Sequence, residues 1–140
     1  MIRLTRRYRF SASHRLHSNS FSDDENQRLF GKCNNPFGHG HNYVLDVSVT
    51  GAVDERTGRL VSTGALDRLV RGEVITRFDH ADFNRDVPEF SEAIPTSENI
   101  LQSIEQRLRW AWHKEFPEGG PALAGLRLQE TKKNIFELRS

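Results

Sequence analysis

Residues 41–50, HNYVLDVSVT, contain the pattern that decides the fold. Apolar side chains stand at every second position and polar side chains fall between them, with only Val44 breaking the order. A repeat of two residues indicates a half-buried β-strand. The segment therefore predicts a strand with one apolar face. The residues of that face are Tyr43, Leu45, Val47 and Val49.

Outside this strand, the sequence predicts three further strands and two helices. Alternating or short apolar runs mark the strands, and apolar residues at helical spacing mark the helices. Thr96 is suited to cap the second helix, because its hydroxyl can accept a hydrogen bond from a free first-turn amide. The predicted strands are 2–12, 41–50, residues around 126–128 and 135–138, and the predicted helices are 65–77 and 96–112.

Two stretches show no regular pattern. Residues 18–38 form a long polar excursion, and residues 79–95 are irregular. The order strand, strand, helix, helix, strand, strand predicts an α+β fold, with a four-stranded antiparallel sheet and two helices on one face. We expect residues 1–140 to form one domain. An open sheet has two edges that another chain can pair with, and closing such sheets around a ring of subunits removes them.

The composition is that of an ordinary soluble protein. Of 140 residues, 36% are hydrophobic, and 20 lysines and arginines balance 19 acidic residues. This balance gives no global basic field for nucleic acid or an anionic membrane. No apolar stretch approaches the roughly 20 residues that span a bilayer. A single cysteine cannot form an internal disulfide, which is consistent with a reducing cytoplasm.

Three histidines form a candidate metal site. His39 and His41 are separated only by Gly40, and in an extended segment residues two apart point to the same face. His14 lies at the far end of the first predicted strand, just past residue 12, so pairing of the two strands would bring all three imidazoles together. Imidazole nitrogens suit Zn²⁺, although other metals accept them too. The alternative is three unrelated polar histidines near loops.

Cys33 is a candidate base or nucleophile. It precedes His39 by six residues, so its thiol can lie beside a metal without binding it. We expect Lys32 and a nearby cation to lower the pKa of this thiol. The alternative is a buried structural thiol, a common fate of free cysteines. Two other histidines, His17 and His113, are predicted to lie on the surface.

Asp79-His80 and Glu130 complete the acid–base candidates. A carboxylate beside an imidazole can fix the tautomer of the ring and stabilise its charged form. Asp79 and His80 can equally be a feature of a helix C-terminus. Glu130 ends the third predicted strand, and its carboxylate suits a guanidine-like edge that offers two donors. A solvated turn glutamate is the alternative.

Five blocks of this sequence together resemble the 6-pyruvoyltetrahydropterin synthase family, which includes the 6-carboxytetrahydropterin synthases of queuosine biosynthesis. The middle block is the most specific, and the resemblance covers nearly the whole chain. The blocks are FSASH at 10–14, FGKCNNPFGHGHNY at 30–43, FDHADFN at 78–84, PTSEN at 95–99 and Glu130-Thr131.

The resemblance implies a tunnelling fold that trimerises into a barrel and stacks as a hexamer, with active sites between subunits. It also implies a role for each candidate residue. Zn²⁺ would bind His14, His39 and His41; Cys33 would be the base, with Asp79 and His80 as relay partners; Glu130 would anchor a pterin ring, with Thr96, Ser97 and Glu98 nearby.

The implied reaction converts 7,8-dihydroneopterin triphosphate to 6-pyruvoyltetrahydropterin with loss of triphosphate. Five residues separate Cys33 from His39, as in the pyruvoyl-forming type. A 6-carboxytetrahydropterin synthase is the alternative, and a zinc-binding assembly module without catalysis is a rival of another class. The chain departs from the family pattern near Ser62-Thr63, where an aspartate is often found. Phe37 and Lys132-Lys133 also look particular to this chain and not typical of the family.

Overall fold

A computed structural model describes residues 1–139. Its sheet is a meander of four antiparallel strands in the order β1-β2-β3-β4, which confirms the predicted sheet. The first two strands are longer than predicted, because the alternation continues through the histidines. The strands are β1, Ile2–His14; β2, His39–Gly51; β3, Ala122–Gln129; and β4, Ile135–Arg139.

Two helical segments cover one face of the sheet, as predicted. α2, Thr63–Val70, continues through a π-helical turn, Arg71–Ile75, into α3, Thr76–Phe78, and the long helix α5 is Ser97–Glu115. We call this covered face the inner face and the opposite one the outer face. A single apolar cluster fills the space between sheet and helices, because both carry an apolar side toward it. Its members include Tyr8, Phe10, Tyr43, Leu45, Leu66, Leu69, Ile104 and Leu108.

Both segments that lacked a pattern contain short helices, so their description as irregular was wrong. Residues 18–38 include α1, Asp23–Phe30, and a 3₁₀ turn, Gly31–Asn34. Helix α1 buries only Asn26, so it has no apolar stripe to read. The sequence feature that could have predicted this helix is its capping box. The Ser22 hydroxyl accepts from the Glu25 amide, and the Glu25 side chain accepts from the Ser22 amide.

Residues 79–95 contain α4, Phe83–Asp86, and a 3₁₀ turn, Pro88–Phe90. The Thr96 hydroxyl caps α5 as predicted, by accepting from the Asn99 amide at 3.2 Å. At the departure from the family pattern, the Ser62 hydroxyl caps α2 by accepting from the Ala65 amide at 3.2 Å. The helix therefore begins with an ordinary side-chain cap at this position. Within residues 1–139, no helix is both long and apolar enough to cross a membrane.

Candidate metal centre

The pairing of β1 with β2 brings the three predicted histidines together. His14 lies opposite His39, and Ala12 lies opposite His41, so all three rings project from the inner face at one end of the sheet. The ring centroids are 5.4 Å apart for His14 and His39, 5.0 Å for His14 and His41, and 4.5 Å for His39 and His41. The prediction that the three imidazole rings converge is therefore confirmed.

The turn before His39 needs glycine at Gly38. Its φ is +68°, and a Cβ there would lie 2.9 Å from the His14 carbonyl oxygen. A side chain would therefore push the two strand ends apart, and the rings with them.

His14 is held in the tautomer that a metal ligand needs. Its ring is buried, and Nδ1 lies 2.8 Å from the Pro95 carbonyl oxygen. Because a carbonyl only accepts, Nδ1 carries the proton and Nε2 keeps its lone pair. Nε2 is buried without a hydrogen-bond partner among the described residues. Burial also lowers the pKa of His14, which favours the neutral ring.

His41 and Glu130 meet on the side of the cluster nearest β3. His41 Nε2 is also buried without a hydrogen bond within residues 1–139, and it lies 3.1 Å from Glu130 Oε1. The same oxygen lies 3.7 Å from His14 Nε2. Burial lowers the pKa of His41, so this ring too is favoured as neutral. Two buried imidazole nitrogens without hydrogen-bond partners, both close to one carboxylate, are the fit expected of a cation site.

Cys33 lies on the other side of the cluster. Its Sγ is 3.0 Å from His39 Nε2. The 3₁₀ turn that carries it is tied to the segment after β1, because the Leu16 amide donates to the Cys33 carbonyl at 2.7 Å. Burial, and then the charge of Glu130, raise the pKa of the thiol. The expectation that Lys32 lowers this pKa was wrong, because Lys32 is exposed to solvent while the thiol is half-buried. A bound cation would act in the opposite direction to burial.

Two groups of side chains can therefore hold a metal ion, and they share His14. One is His14, Cys33 and His39; the other is His14, His41 and Glu130. In each group the candidate ligand atoms all lie within 4.8 Å of one another. Imidazole, thiolate and carboxylate are the donor types that zinc takes in proteins.

Asp79 and His80 lie elsewhere, along the free edge of β1. The His80 amide donates to the Ser11 carbonyl at 2.6 Å, and the Ser11 amide donates to Asp79 Oδ1 at 2.9 Å. The φ of His80 is +61°, a left-handed conformation uncommon outside glycine. Asp79 Oδ2 is 3.5 Å from His80 Nε2, so the carboxylate does lie beside the imidazole.

The His80 side chain is 85% exposed and borders a shallow pocket with Ser11, Ser13, Gly40 and Asn42, and His41 also lines this pocket. Ser11, Ser13, Gly40 and Asn42 alternate with the histidines along β1 and β2, so they belong to the opposite face. Within residues 1–139, no hydrogen bond or ion pair joins His80 to Cys33. Within a single chain, therefore, Cys33 lies apart from Asp79 and His80, the other predicted members of the acid–base set.

The residues predicted near a pterin begin α5. The Thr96 hydroxyl is engaged in capping, Glu98 is exposed, and the Ser97 hydroxyl is buried without a partner among the described residues. Sequence reasoning missed the Pro95 carbonyl that orients His14, and nothing in the chain signals a backbone acceptor in advance.

Sequence reasoning also misjudged one of the two remaining histidines. His17 was predicted on the surface, but it is half-buried, since its Nδ1 lies 2.9 Å from Asn34 Nδ2. His113 is exposed, as predicted.

Taken together, the fold and the site define an α+β protein with a cluster of histidine, cysteine and glutamate at one end of its sheet. Residues 3–140 match the family model of 6-pyruvoyl tetrahydropterin synthase. The chain belongs to this family, so the predicted family and the predicted α+β tunnelling fold of the single chain are confirmed.

Individual relatives agree with this assignment. The human 6-pyruvoyl tetrahydrobiopterin synthase is 41% identical over 132 residues, which are 94% of this chain and 87% of the relative. The solved structure of the Caenorhabditis elegans 6-pyruvoyl tetrahydropterin synthase superposes with a TM-score of 0.87 at 36% identity, covering 99% of this chain and 95% of that one. A 6-carboxy-5,6,7,8-tetrahydropterin synthase of Rickettsia typhi is 26% identical over 155 residues, covering 99% of this chain and all of the relative.

Proposed function

We propose that the protein is a zinc-dependent lyase that converts 7,8-dihydroneopterin triphosphate to 6-pyruvoyltetrahydropterin with release of triphosphate. The observation that carries this proposal is the inner-face cluster, in which three imidazoles, a thiol and a carboxylate meet at one end of the sheet. The pyruvoyl product is favoured over the 6-carboxy product for two reasons. Five residues separate Cys33 from His39, and the human relative named for the pyruvoyl reaction shares more of the sequence.

His14, His39 and His41 are the residues proposed to hold zinc. When bound there, zinc would act as a Lewis acid toward the two side-chain hydroxyls of the substrate and acidify the neighbouring bonds. The chain's own contribution is to keep the rings neutral and correctly turned. The Pro95 carbonyl does this for His14 by accepting from Nδ1, and burial disfavours protonation of His14 and His41.

Cys33 is proposed as the base that removes a carbon-bound proton from the substrate side chain. Its Sγ lies beside His39 without belonging to the three-imidazole set, so the thiol can exchange protons at the edge of the site. Because burial and Glu130 raise the pKa of the thiol, the free chain holds it protonated. We propose that formation of the reactive thiolate is therefore tied to metal loading.

Glu130 is proposed to anchor the pterin ring. A pterin presents two N–H donors side by side, and a carboxylate accepts both. Glu130 is mostly buried next to His41, so an anchored ring would lie against the histidines. Thr96, Ser97 and Glu98 are proposed to contact the same ligand, and the unpartnered Ser97 hydroxyl is the donor or acceptor most available for it.

Asp79 and His80 are proposed to act in the site of a neighbouring subunit. They lie on the outer side of the β1 edge, whereas Cys33 lies on the inner face. A homo-oligomer, as a trimer or a hexamer, would bring the exposed imidazole of one copy to the thiol of another. His80 would then shuttle the second proton of the reaction, with Asp79 holding its ring. We propose a cytoplasmic location, in keeping with a single free cysteine.

The direct test is to incubate the zinc-loaded protein with 7,8-dihydroneopterin triphosphate and to identify products by mass spectrometry. The proposal predicts 6-pyruvoyltetrahydropterin and free triphosphate. A 6-carboxy product with acetaldehyde would assign the alternative reaction, and no conversion by a zinc-loaded oligomer would favour a non-catalytic assembly module.

Cys33→Ala is the matched variant for this test. Removal of a general base is expected to lower turnover by about 10²- to 10⁴-fold, because such groups contribute that much. Zinc content and oligomeric state should not change, because Cys33 is not among the three proposed ligands. Turnover equal to that of the unmodified protein would remove Cys33 from the mechanism.

A further inference from the structure

A cleft of about 760 Å³ opens beside the inner-face cluster, and its wall includes His39 but not Glu130. His39 forms part of its wall, so the cleft begins where the inner-face cluster ends. The remaining wall comes from the end of β1, from α1 and from the 3₁₀ turn that carries Cys33. Its charged and titratable side chains are those of Arg15, Asp23, Lys32 and His39.

Arg15 is fixed in this wall with donors to spare. Its amide donates to Asn84 Oδ1 at 2.7 Å, and its carbonyl accepts from Asn84 Nδ2 at 3.0 Å. Its Nε donates to the Asn34 carbonyl at 3.2 Å. Within residues 1–139 the guanidinium makes no ion pair, so its two Nη groups remain available to the cleft. A held guanidinium with free donors is a suitable binding group for phosphate oxygens.

Lys32 adds a second cation, and Asp23 an opposing charge. Lys32 is exposed on the 3₁₀ turn, and its ammonium forms no ion pair among the described residues. Asp23 begins α1 and is the only acidic residue of the cleft wall. The cleft wall therefore carries two cationic side chains without ion pairs and one anionic side chain. A substitution of the anionic residue is expected to affect phosphate binding in the opposite direction to a substitution of either cation.

The positions of Glu130, the histidines and the cleft indicate which part of the substrate the cleft would bind. Glu130 contacts His41 and His14, whereas His39 contacts Cys33 and borders the cleft. A substrate whose pterin ring is anchored at Glu130, and whose hydroxyls reach the histidines, has its terminal triphosphate directed past His39. We infer that this cleft is the triphosphate subsite, in which Arg15 and Lys32 bind the phosphate oxygens, an inference that rests on the proposed function.

The test compares two ligands that differ only in the phosphates. Equilibrium binding of 7,8-dihydroneopterin triphosphate and of 7,8-dihydroneopterin is measured by calorimetry on the zinc-loaded Cys33→Ala protein, which prevents turnover. Adding Arg15→Gln is expected to weaken binding of the triphosphate ligand by about tenfold, the effect of losing charge-assisted hydrogen bonds. Affinity for the ligand without phosphates should stay the same.

Two further variants keep the test independent of Arg15's structural contact with Asn34. Lys32→Gln removes only an exposed charge, and it should weaken the triphosphate ligand by about threefold at low salt. Asp23→Asn should change its affinity in the opposite direction, by about twofold to threefold, because it removes the like charge.

The outcomes separate the subsite from the proposed function. If both ligands bind and Arg15→Gln or Lys32→Gln affects them equally or not at all, the subsite is overturned while the function stands. If neither ligand binds before these changes, the proposed function fails, and the subsite with it. A triphosphate-specific loss for Arg15→Gln and Lys32→Gln, with a gain for Asp23→Asn, supports the subsite.

Discussion

Two regions of this molecule carry the predicted chemistry, and they differ in how much of it one chain assembles. At the inner-face end of the sheet, the three histidines, Cys33 and Glu130 all meet within a single chain. At the free edge of β1, Asp79 and His80 are tied to Ser11 and face away from that cluster. In the first region, pairing of β1 with β2 brings the histidines together, and Cys33 and Glu130 join them from the 3₁₀ turn and from the end of β3. We propose that the second is completed by another copy of the chain, and the following variants test that difference.

The largest effect is expected from removing a proposed metal ligand. His41→Ala deletes one of two buried, unpartnered imidazole nitrogens, so metal affinity should fall at least about a hundredfold and turnover with it. Metal content after dialysis measures this directly. His113→Ala, which changes an exposed histidine of α5, should retain both metal and activity. Full metal content in His41→Ala would disprove the assignment of this ligand.

The next effect concerns the role of His80. His80→Ala should lower turnover by about a hundredfold or more, the usual contribution of a proton-transfer group. Because the side chain is 85% exposed, the free energy of unfolding should fall by no more than about 1 kcal/mol, a loss that comes from placing alanine at a left-handed φ. Metal content should not change, because the ring lies on the other face. Metal loss in this variant would show that the two regions are not separate.

Glu130→Gln tests whether Glu130, within the inner-face cluster, binds the pterin or the metal. If Glu130 anchors the pterin, the change should raise KM by about 10- to 100-fold and leave the metal bound, because a charge-assisted hydrogen bond is lost. Glu118→Gln, at an exposed position, serves as the comparison. Because Glu130 Oε1 also lies 3.1 Å from His41 Nε2, loss of metal would instead identify Glu130 as a ligand.

The smallest effect is expected from breaking an ion pair that lies away from both regions. Two hydrogen bonds from Arg6, at 2.6 and 2.8 Å, tie β1 to Asp67 of α2 and hold the pKa of Asp67 at about 2, below its ordinary 3.8. A lowered pKa means that the stabilisation is complete above pH about 4 and is lost as pH falls toward 2. Denaturant unfolding should therefore show that Asp67→Asn is destabilised at pH 7, by an amount that shrinks over this window.

The comparison for Asp67 is Glu115→Gln. Glu115 meets the exposed Arg68 at 3.5 Å, and such a surface pair contributes little to stability. Glu115→Gln should therefore behave like the unmodified protein across the same pH range. A gap between Asp67→Asn and the unmodified protein that stays constant down to pH 2 would contradict the predicted pH dependence.

Sequence alone predicted the first region better than the second, for a physical reason. The alternation that places Tyr43 and Leu45 on the inner face also places His39 and His41 there, so local pattern was sufficient. The position of His80 depends on hydrogen bonds to Ser11, far away in the chain, and no local pattern reports them. Helix α1 was missed because it is almost wholly exposed, although its capping box was readable.

The error over Cys33 has a similar origin. The sequence shows that Lys32 is its neighbour, but not that the lysine is exposed while the thiol is half-buried near Glu130. Burial and a carboxylate from a distant strand therefore decide the direction of the pKa. The Pro95 carbonyl that orients His14 is likewise a contact between distant segments.

The most direct test of the central claim is complementation between two inactive chains. Cys33→Ala and His80→Ala are co-expressed, and oligomers containing both chains are isolated and assayed. If the thiol and the imidazole come from different copies, mixed oligomers should regain about one third of the activity as trimers and about one quarter as hexamers, because that share of their sites receives both intact groups. If mixed oligomers form but are no more active than either variant alone, both groups act within one chain, and the account of a site shared between copies is wrong.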